Sequence, residues 1–390
     1  MRILYHHRTQ AEDAQGVHIQ EMVNAFKELG HEVEMVALVK PGAGSSEKKK
    51  RPWTRLLKAT PDWFYELMAL SYNLYGYISL CRVISERRPD MIYERYSLNT
   101  FCGVWASRKF GIPLILEVNA PLYKEQKALG KLAFESLARF SEKWICSNTT
   151  RTITVTNVMK EILISEGIPG NKITVMSNGV NLEEFNKKIS GSPVRRKFGI
   201  ENTKVMGFVG WFRPWHGLEM LLEVFNEKKM WEDDVSLMLI GDGPACPDLK
   251  RFVEKNGLND HVIFTGPVGR KEMPAHIAAL DIALQPSVTE YACPMKIIEY
   301  MAMGKCIVAP DQPNIREIIG DRVNGILFRK EDKKSLSEVL KMVIDDKQMR
   351  ETVASRAYES VFERGYLWRV NAMRALELLS LKEAINVVNG

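Results

Sequence analysis

The chain has 390 residues, 45% of them hydrophobic and 26% charged, a globular composition that excludes disordered and fibrous classes and, at roughly 100–200 residues per domain, predicts two domains. A net charge of +6 suits phosphorylated small molecules or anionic lipid, but no nucleic-acid motif accompanies it, so no nucleic-acid partner is expected. No run reaches the roughly 20 apolar residues of a spanning helix, since the most apolar stretch, Trp63 to Cys81, is broken by Glu66, Asn73 and Gly76.

The opening Arg2-Ile3-Leu4-Tyr5 reads as a strand with no apolar leader ahead of it. Together with six scattered cysteines that form no CxxC pair, this predicts a cytoplasmic protein with reduced thiols. A polar loop to Gln15-Gly16-Val17 precedes a helix with one apolar face at Ile19, Met22, Val23, Phe26 and Leu29, and Gly30 closes it before the strand Val33 to Leu38. Lys48, Lys49, Lys50, Arg51, Arg55 and Lys58 then surround Trp53, Leu56 and Leu57, just ahead of the aromatic stretch Trp63 to Tyr77. Basic residues interleaved with apolar anchors predict peripheral contact with an anionic membrane surface; a solvated loop followed by a core helix is the alternative. Strands are predicted at Met91 to Tyr93, Pro113 to Val118 and Thr152 to Thr156, each after a helical stretch, which implies a parallel sheet covered on both faces.

Residues 1–186 form the first domain on this reading. Residues 187–200, rich in charge, Ser, Gly and Pro, form the linker. The plan then repeats over 201–365, with strands Val205 to Gly210, Ser236 to Gly241, Val262 to Gly266, Ile282 to Gln285 and Cys306 to Pro310 alternating with helices. The predicted fold class is α/β: two doubly wound Rossmann-like domains facing across a cleft, with ligands at the carboxyl ends of the strands.

The segment Pro294-Met295-Lys296-Ile297-Ile298-Glu299 carries the clearest chemistry. A helix starting at or just after Pro294 aims free backbone N–H groups and a positive dipole end at an anion, which predicts a diphosphate site. Lys296 adds a mobile positive charge, and Glu299, one turn on, could accept both hydroxyls of a ribose. The alternative is that Met295, Ile298 and Met301 bury one face while Lys296 and Glu299 are only solvated. No acidic pair flanks a single residue near a strand end and no histidine–carboxylate cluster has ligand spacing, so neither a metal nor any other cofactor is expected.

The run Pro294 to Pro310, PMKIIEYMAMGKCIVAP, resembles the most diagnostic block of glycosyltransferase family 4, the retaining GT-B group. The resemblance extends to GVHIQEMVNAFKELGHEV from Gly16, KITVMSNGVNLEEF from Lys172, GFVGWFRPWHGLEMLLEVF from Gly207, LMLIGDGP, VIFTGPV, NGILF and the late Trp368 in YLWRVNAM. It implies a sugar moved from a nucleotide-diphosphate donor, UDP favoured over GDP, to a glycan, lipid-linked or small-molecule acceptor in cell-surface polysaccharide or glycoconjugate synthesis. It also implies that the last helix, about 366–390, packs back on the first domain.

On the residues, the resemblance makes Glu299 and Lys296 ribose and diphosphate ligands beside Pro294 and Met295. It puts Gly16 and His18 near the donor phosphates or the transferred sugar, and it sets Gly266 and Val268 at the base. The chain departs from the family at three places. The first of the usual two glutamates is replaced by Tyr291, with Glu290 one residue earlier as the candidate donor-sugar ligand. Trp211 and His216 stand where Arg and Lys are usual, so Arg213 is the candidate phosphate clamp and His216 a second phosphate contact. Asn119 follows the strand where many members carry histidine, leaving Asn119 or Glu117 to meet the sugar or acceptor. A departing pyrophosphate gathers negative charge, so fixed cations at Arg213 and Lys296 meet the main catalytic demand. A nucleotide-sugar epimerase and a noncatalytic transferase partner are the alternatives; a dinucleotide oxidoreductase fails, because neither opening strand is followed by the three-glycine fingerprint.

Overall fold

The structure, a computed structural model, describes residues 1–9, 13–38 and 61–388. The basic cluster Lys48 to Lys58 lies outside the described residues. The chain divides into two compact units, Met1–Ser177 with Trp368–Gly390, and Asn178–Leu367.

In the first unit β1 (Arg2–His7), α1 (Asp13–Glu28), β2 (Glu32–Ala37), α2 (Asp62–Arg87), β3 (Met91–Arg95), α3 (Cys102–Phe110), β4 (Leu114–Val118), α4 (Leu122–Ala128), α5 (Glu135–Ser147), β5 (Arg151–Thr154), α6 (Asn157–Ser165) and β6 (Ile173–Val175) alternate. The six strands are parallel in the order β2-β1-β3-β4-β5-β6. β1, β3 and β4 are buried along nearly their whole length, as continuous apolar runs covered on both faces must be.

The second unit contains α7 (Ser192–Phe198), β7 (Lys204–Trp211), α8 (Leu218–Glu227), β8 (Val235–Asp242), α9 (Cys246–Lys255), β9 (Val262–Gly266), α10 (Met273–Ala278), β10 (Ile282–Leu284), α11 (Met295–Ala302), β11 (Cys306–Asp311), α12 (Pro313–Arg316), β12 (Ile326–Arg329), α13 (Lys333–Asp345) and α14 (Lys347–Glu363). Its parallel order, β12-β11-β10-β7-β8-β9, reverses between β7 and β10. Such a reversal opens a ligand crevice at the strand ends.

Two expectations need correction. Residues 178–200 belong to the second unit rather than to the first domain and a linker. Asn178 Nδ2 donates to the Cys293 carbonyl at 2.6 Å, and Arg195, on α7, pairs with Asp281 at 2.7 Å. Charge in 187–200 is therefore packed: the Lys187 ammonium sits 3.7 Å from the Tyr358 ring centroid. Second, α1 starts at Asp13, so Gly16 lies within the helix and not in a loop before it, while His18 is helical as expected.

The C-terminal helix α15 (Trp368–Val388) is part of the first unit and packs on α1, with the Trp368 ring edge-on to His18 at 4.7 Å. No described helix is long and apolar enough to cross a membrane. In α2 the three residues that interrupt the apolar run turn inward. Asn73 Oδ1 accepts the N–H groups of Phe101 and Cys102 at the start of α3, and a side chain at Gly76 would meet Cys102 Sγ at 2.8 Å.

Candidate functional site

In the second unit the crevice between β7 and β10 is roofed by the start of α11. Pro294 occupies the position before the first helical residue, Met295, with φ −68° and ψ 115°, and its carbonyl accepts the Ile297 N–H at 3.1 Å. The preceding turn is pinned by Asn178, which also donates its backbone N–H to Cys293 Sγ at 3.3 Å. The buried Tyr300 hydroxyl accepts the Val209 N–H at 2.9 Å, fixing α11 against β7.

Lys296 reaches into this crevice. Its ammonium lies 3.9 Å from the Phe208 ring centroid, and a Cβ on Gly210 would come within 2.8 Å of it. Gly210 has φ +144°, so the bare backbone at the end of β7 is what leaves room for the lysine. Burial pushes the Lys296 ammonium down to about 7, against the attraction of Glu299. Among the described residues Lys296 forms no ion pair.

Glu299 is buried and does not wait free for a ribose. Arg270 donates to its Oε1 at 2.6 Å and, through Nε, to Glu184 at 2.8 Å, with the guanidinium over the Phe185 ring at 4.5 Å. Burial lifts the Glu299 carboxyl above its usual range even with Arg270 beside it. The sequence reading missed Arg270. Its only local signal is a basic residue four positions after Gly266 at the end of β9, and its partners are distant in sequence.

Arg213 and His216 occupy the half-buried turn after β7. Arg213 lies 5.4 Å from the Trp215 ring centroid and its backbone N–H reaches His216 Nδ1 at 3.4 Å. Burial, with Lys296 and Arg213 nearby, lowers His216 to about 4, so its ring is neutral at pH 7. Gly266 ends β9 with φ +72°, and Val268 is half-buried in the loop that leads to Arg270. Glu290 stands apart from this group: it is exposed and paired with Lys330 at 2.9 Å. The chain around it is tied down by Asn314, whose Nδ2 donates to the Thr289 and Ala292 carbonyls.

In the first unit the residues after β4 form a second group. Glu117 is 2% exposed and accepts from Tyr93 OH at 2.8 Å, Arg95 at 2.8 Å and Asn119 Nδ2, with His18 Nδ1 3.4 Å away. Burial alone would raise its pKa, but His18, Arg95, Tyr93 and Asn119 outweigh it and hold the carboxylate ionised. Glu117 is thus a fixed anchor that orients Asn119, whose Oδ1 has no partner among the described residues. Gly16 is buried in the first turns of α1, and His18 is held between Trp368 and Glu117. Among the described residues no group of three or more His, Cys, Asp or Glu side chains could hold a metal ion.

Known proteins resemble both units. The family described as Glycosyltransferase Family 4 matches residues 15–184, and that described as Glycosyl transferases group 1 matches 203–346. A UDP-Gal:alpha-D-GlcNAc-diphosphoundecaprenol alpha-1,3-galactosyltransferase of Escherichia coli is 28% identical over 291 residues, 72% of this chain and 73% of that protein. An alpha-monoglucosyldiacylglycerol synthase of Streptococcus pneumoniae is 24% identical over 306 residues, 76% of this chain and 68% of that protein. In fold, the crystal structure of Anabaena HepE in complex with UDP matches with a TM-score of 0.75 at 18% identity, covering 97% of this chain and 100% of that one. Both family descriptions and the name of the Escherichia coli relative state glycosyl transfer, which leaves the epimerase reading without support.

Proposed function

The chain belongs to glycosyltransferase family 4, and on that premise we propose that it moves a sugar, with retention at C1, from a UDP-sugar to a lipid-linked or glycan acceptor without a metal ion. In the reaction the bond from C1 to the diphosphate oxygen breaks, the bond from C1 to an acceptor oxygen forms, and the acceptor proton leaves with the nucleoside diphosphate or solvent. The observation that carries the reading is Lys296, an ammonium without an ion pair set beside the bare Gly210 backbone at the end of β7. Negative charge growing on the diphosphate restores a counter-ion to that lysine, so the interaction is strongest in the transition state.

Glu299, already oriented by Arg270, takes the ribose hydroxyls, and Arg213 offers a planar fork for a second phosphate oxygen. Gly266 and Val268 line the base, and Asn119, oriented by Glu117, meets the transferred sugar or the acceptor. The UDP in the HepE complex and the UDP-Gal in the Escherichia coli relative's name support uridine as the base. The lipids in the names of both sequence relatives support work at a membrane surface.

A thermal-shift panel of UDP, GDP and their sugars tests the donor, because a ligand of the native state raises apparent stability by mass action. UDP and a UDP-sugar should raise the midpoint, and slow donor hydrolysis in EDTA should match that in its absence. A shift with GDP alone, or hydrolysis that EDTA abolishes, would overturn the corresponding part of the proposal.

A further inference from the structure

The first unit has its own strand reversal, between β1 and β3, and a cavity of roughly 540 Å³ opens there at the strand ends. Its walls include Arg8 from the end of β1, Asn99 after β3, Tyr65, Glu66 and Met68 from α2, and Lys131 at the rim. Arg8 donates to the Leu98 carbonyl at 3.3 Å and lies 5.9 Å from the Tyr72 ring centroid. Among the described residues neither Arg8 nor Lys131 forms an ion pair. The carboxylate in the wall is turned toward the chain: Glu66 Oε1 accepts the Ala133 and Phe134 N–H groups at 2.5 and 3.3 Å. Glu66 Oε2 and Asn99 Oδ1 are buried without a partner among the described residues, although Glu66 and Asn99 are 4% and 2% exposed.

Helix α2 adds an inverted pattern. Its packed face carries Glu66 and Asn73, while Phe64, Leu67, Leu74, Tyr75 and Ile78 stand exposed at helical spacing. This apolar stripe is longer than scattered surface residues account for. It is continuous with the cavity, because Tyr65 and Met68 are exposed and line the cavity as well. A half-buried guanidinium without a carboxylate partner at one end of a continuous hydrocarbon surface matches an amphiphile with an anionic head.

We propose that the cavity and stripe are the acceptor site, and that the acceptor is a lipid phosphate or diphosphate, its head group held by Arg8 and Lys131 and its chain laid along Phe64, Leu67, Leu74 and Ile78. The proposal rests on the transferase reading for the role of acceptor, while the binding chemistry stands on the first unit alone.

Calorimetric titration of the full chain with dodecyl phosphate below its micellar concentration, inorganic phosphate and dodecyl maltoside tests it. Dodecyl phosphate should bind at least about tenfold tighter than either, since each lacks one half of the recognition. Arg8→Gln should weaken dodecyl phosphate by about tenfold. The exposed Lys131→Gln should weaken it by about threefold, which keeps the test valid if the Arg8 variant folds poorly. The Leu67→Glu/Leu74→Glu pair should bring it toward inorganic phosphate. UDP affinity, measured on the same samples, should not change, so loss of UDP binding in the wild-type protein would sink the donor reading and leave this one standing.

Equal binding of dodecyl maltoside, or wild-type affinity in Arg8→Gln and Lys131→Gln, would overturn the anionic head. Inorganic phosphate binding as tightly as dodecyl phosphate would overturn the chain. A stable dimer that the Leu67→Glu/Leu74→Glu pair dissociates without changing dodecyl phosphate affinity would assign the stripe to a second copy instead.

Discussion

Nucleoside diphosphate binding should take up a proton. Burial pushes the Lys296 ammonium down to about 7, so at pH 8 about nine-tenths of the free molecules should carry a neutral amine at the proposed phosphate site. A bound diphosphate favours the ammonium, and each pH unit above 7 therefore costs up to about 1.36 kcal/mol of binding. Between pH 7 and 9 the protonated fraction falls from about one-half to about one-hundredth. UDP affinity should then fall about 50-fold while its phosphates stay fully ionised. Calorimetry at pH 8 in buffers of different ionisation enthalpy should report about 0.9 proton taken up per UDP. Lys296→Met, which keeps the apolar contact with Phe208, should reduce the uptake to near zero and flatten the pH profile. Tight UDP binding with no uptake by the wild-type protein, or the same uptake in Lys296→Met, would refute the reasoning.

Two predictions concern stability. Glu142 is buried among Tyr96, Tyr123 and Cys146, and burial pushes it up to about 7. Between its unfolded value near 4.3 and that folded value the native state binds the extra proton, so stability falls as pH rises through 7. Glu142→Gln should remove up to about 3 kcal/mol of this dependence, read as a smaller difference in urea midpoint between pH 5 and 8. Gly103→Ala would place a methyl on the Glu94 carboxylate, which holds His6 Nδ1 at 2.7 Å; disrupting that buried pair should cost about 3 kcal/mol or more by urea unfolding.

The parts of the fold and site that the sequence revealed are those written in short continuous segments. The glycine turn after β7, the helix start at Pro294 and the Lys296–Glu299 spacing are local, and periodicity located ten of the twelve strands among the described residues. The two strands it did not mark, β6 and β12, are short edge strands of three and four residues. Arg270 was invisible because it acts through Glu184 and Glu299, 86 and 29 positions away. The sequence leaves Asn119 or Glu117 to meet the sugar or acceptor; Tyr93 and Arg95 on a neighbouring strand consume Glu117, and only strand pairing brings them there. In helix α2 the sequence shows Glu66 and Asn73 only as breaks in an apolar run; that they satisfy backbone N–H groups inside the fold and leave apolar residues outside depends on partners distant in sequence.

The donor assignment is tested most directly by measuring UDP-sugar affinity and donor hydrolysis side by side in Lys296→Ala and Glu299→Gln. Glu299→Gln should weaken UDP and UDP-sugar alike, by about 10- to 100-fold, because both carry the ribose. Lys296→Ala should change affinity little at pH 8, where protonating the lysine offsets its attraction, and should lower turnover by about 100- to 1,000-fold. Folded variants that keep wild-type affinity and turnover would contradict the account and place the diphosphate elsewhere.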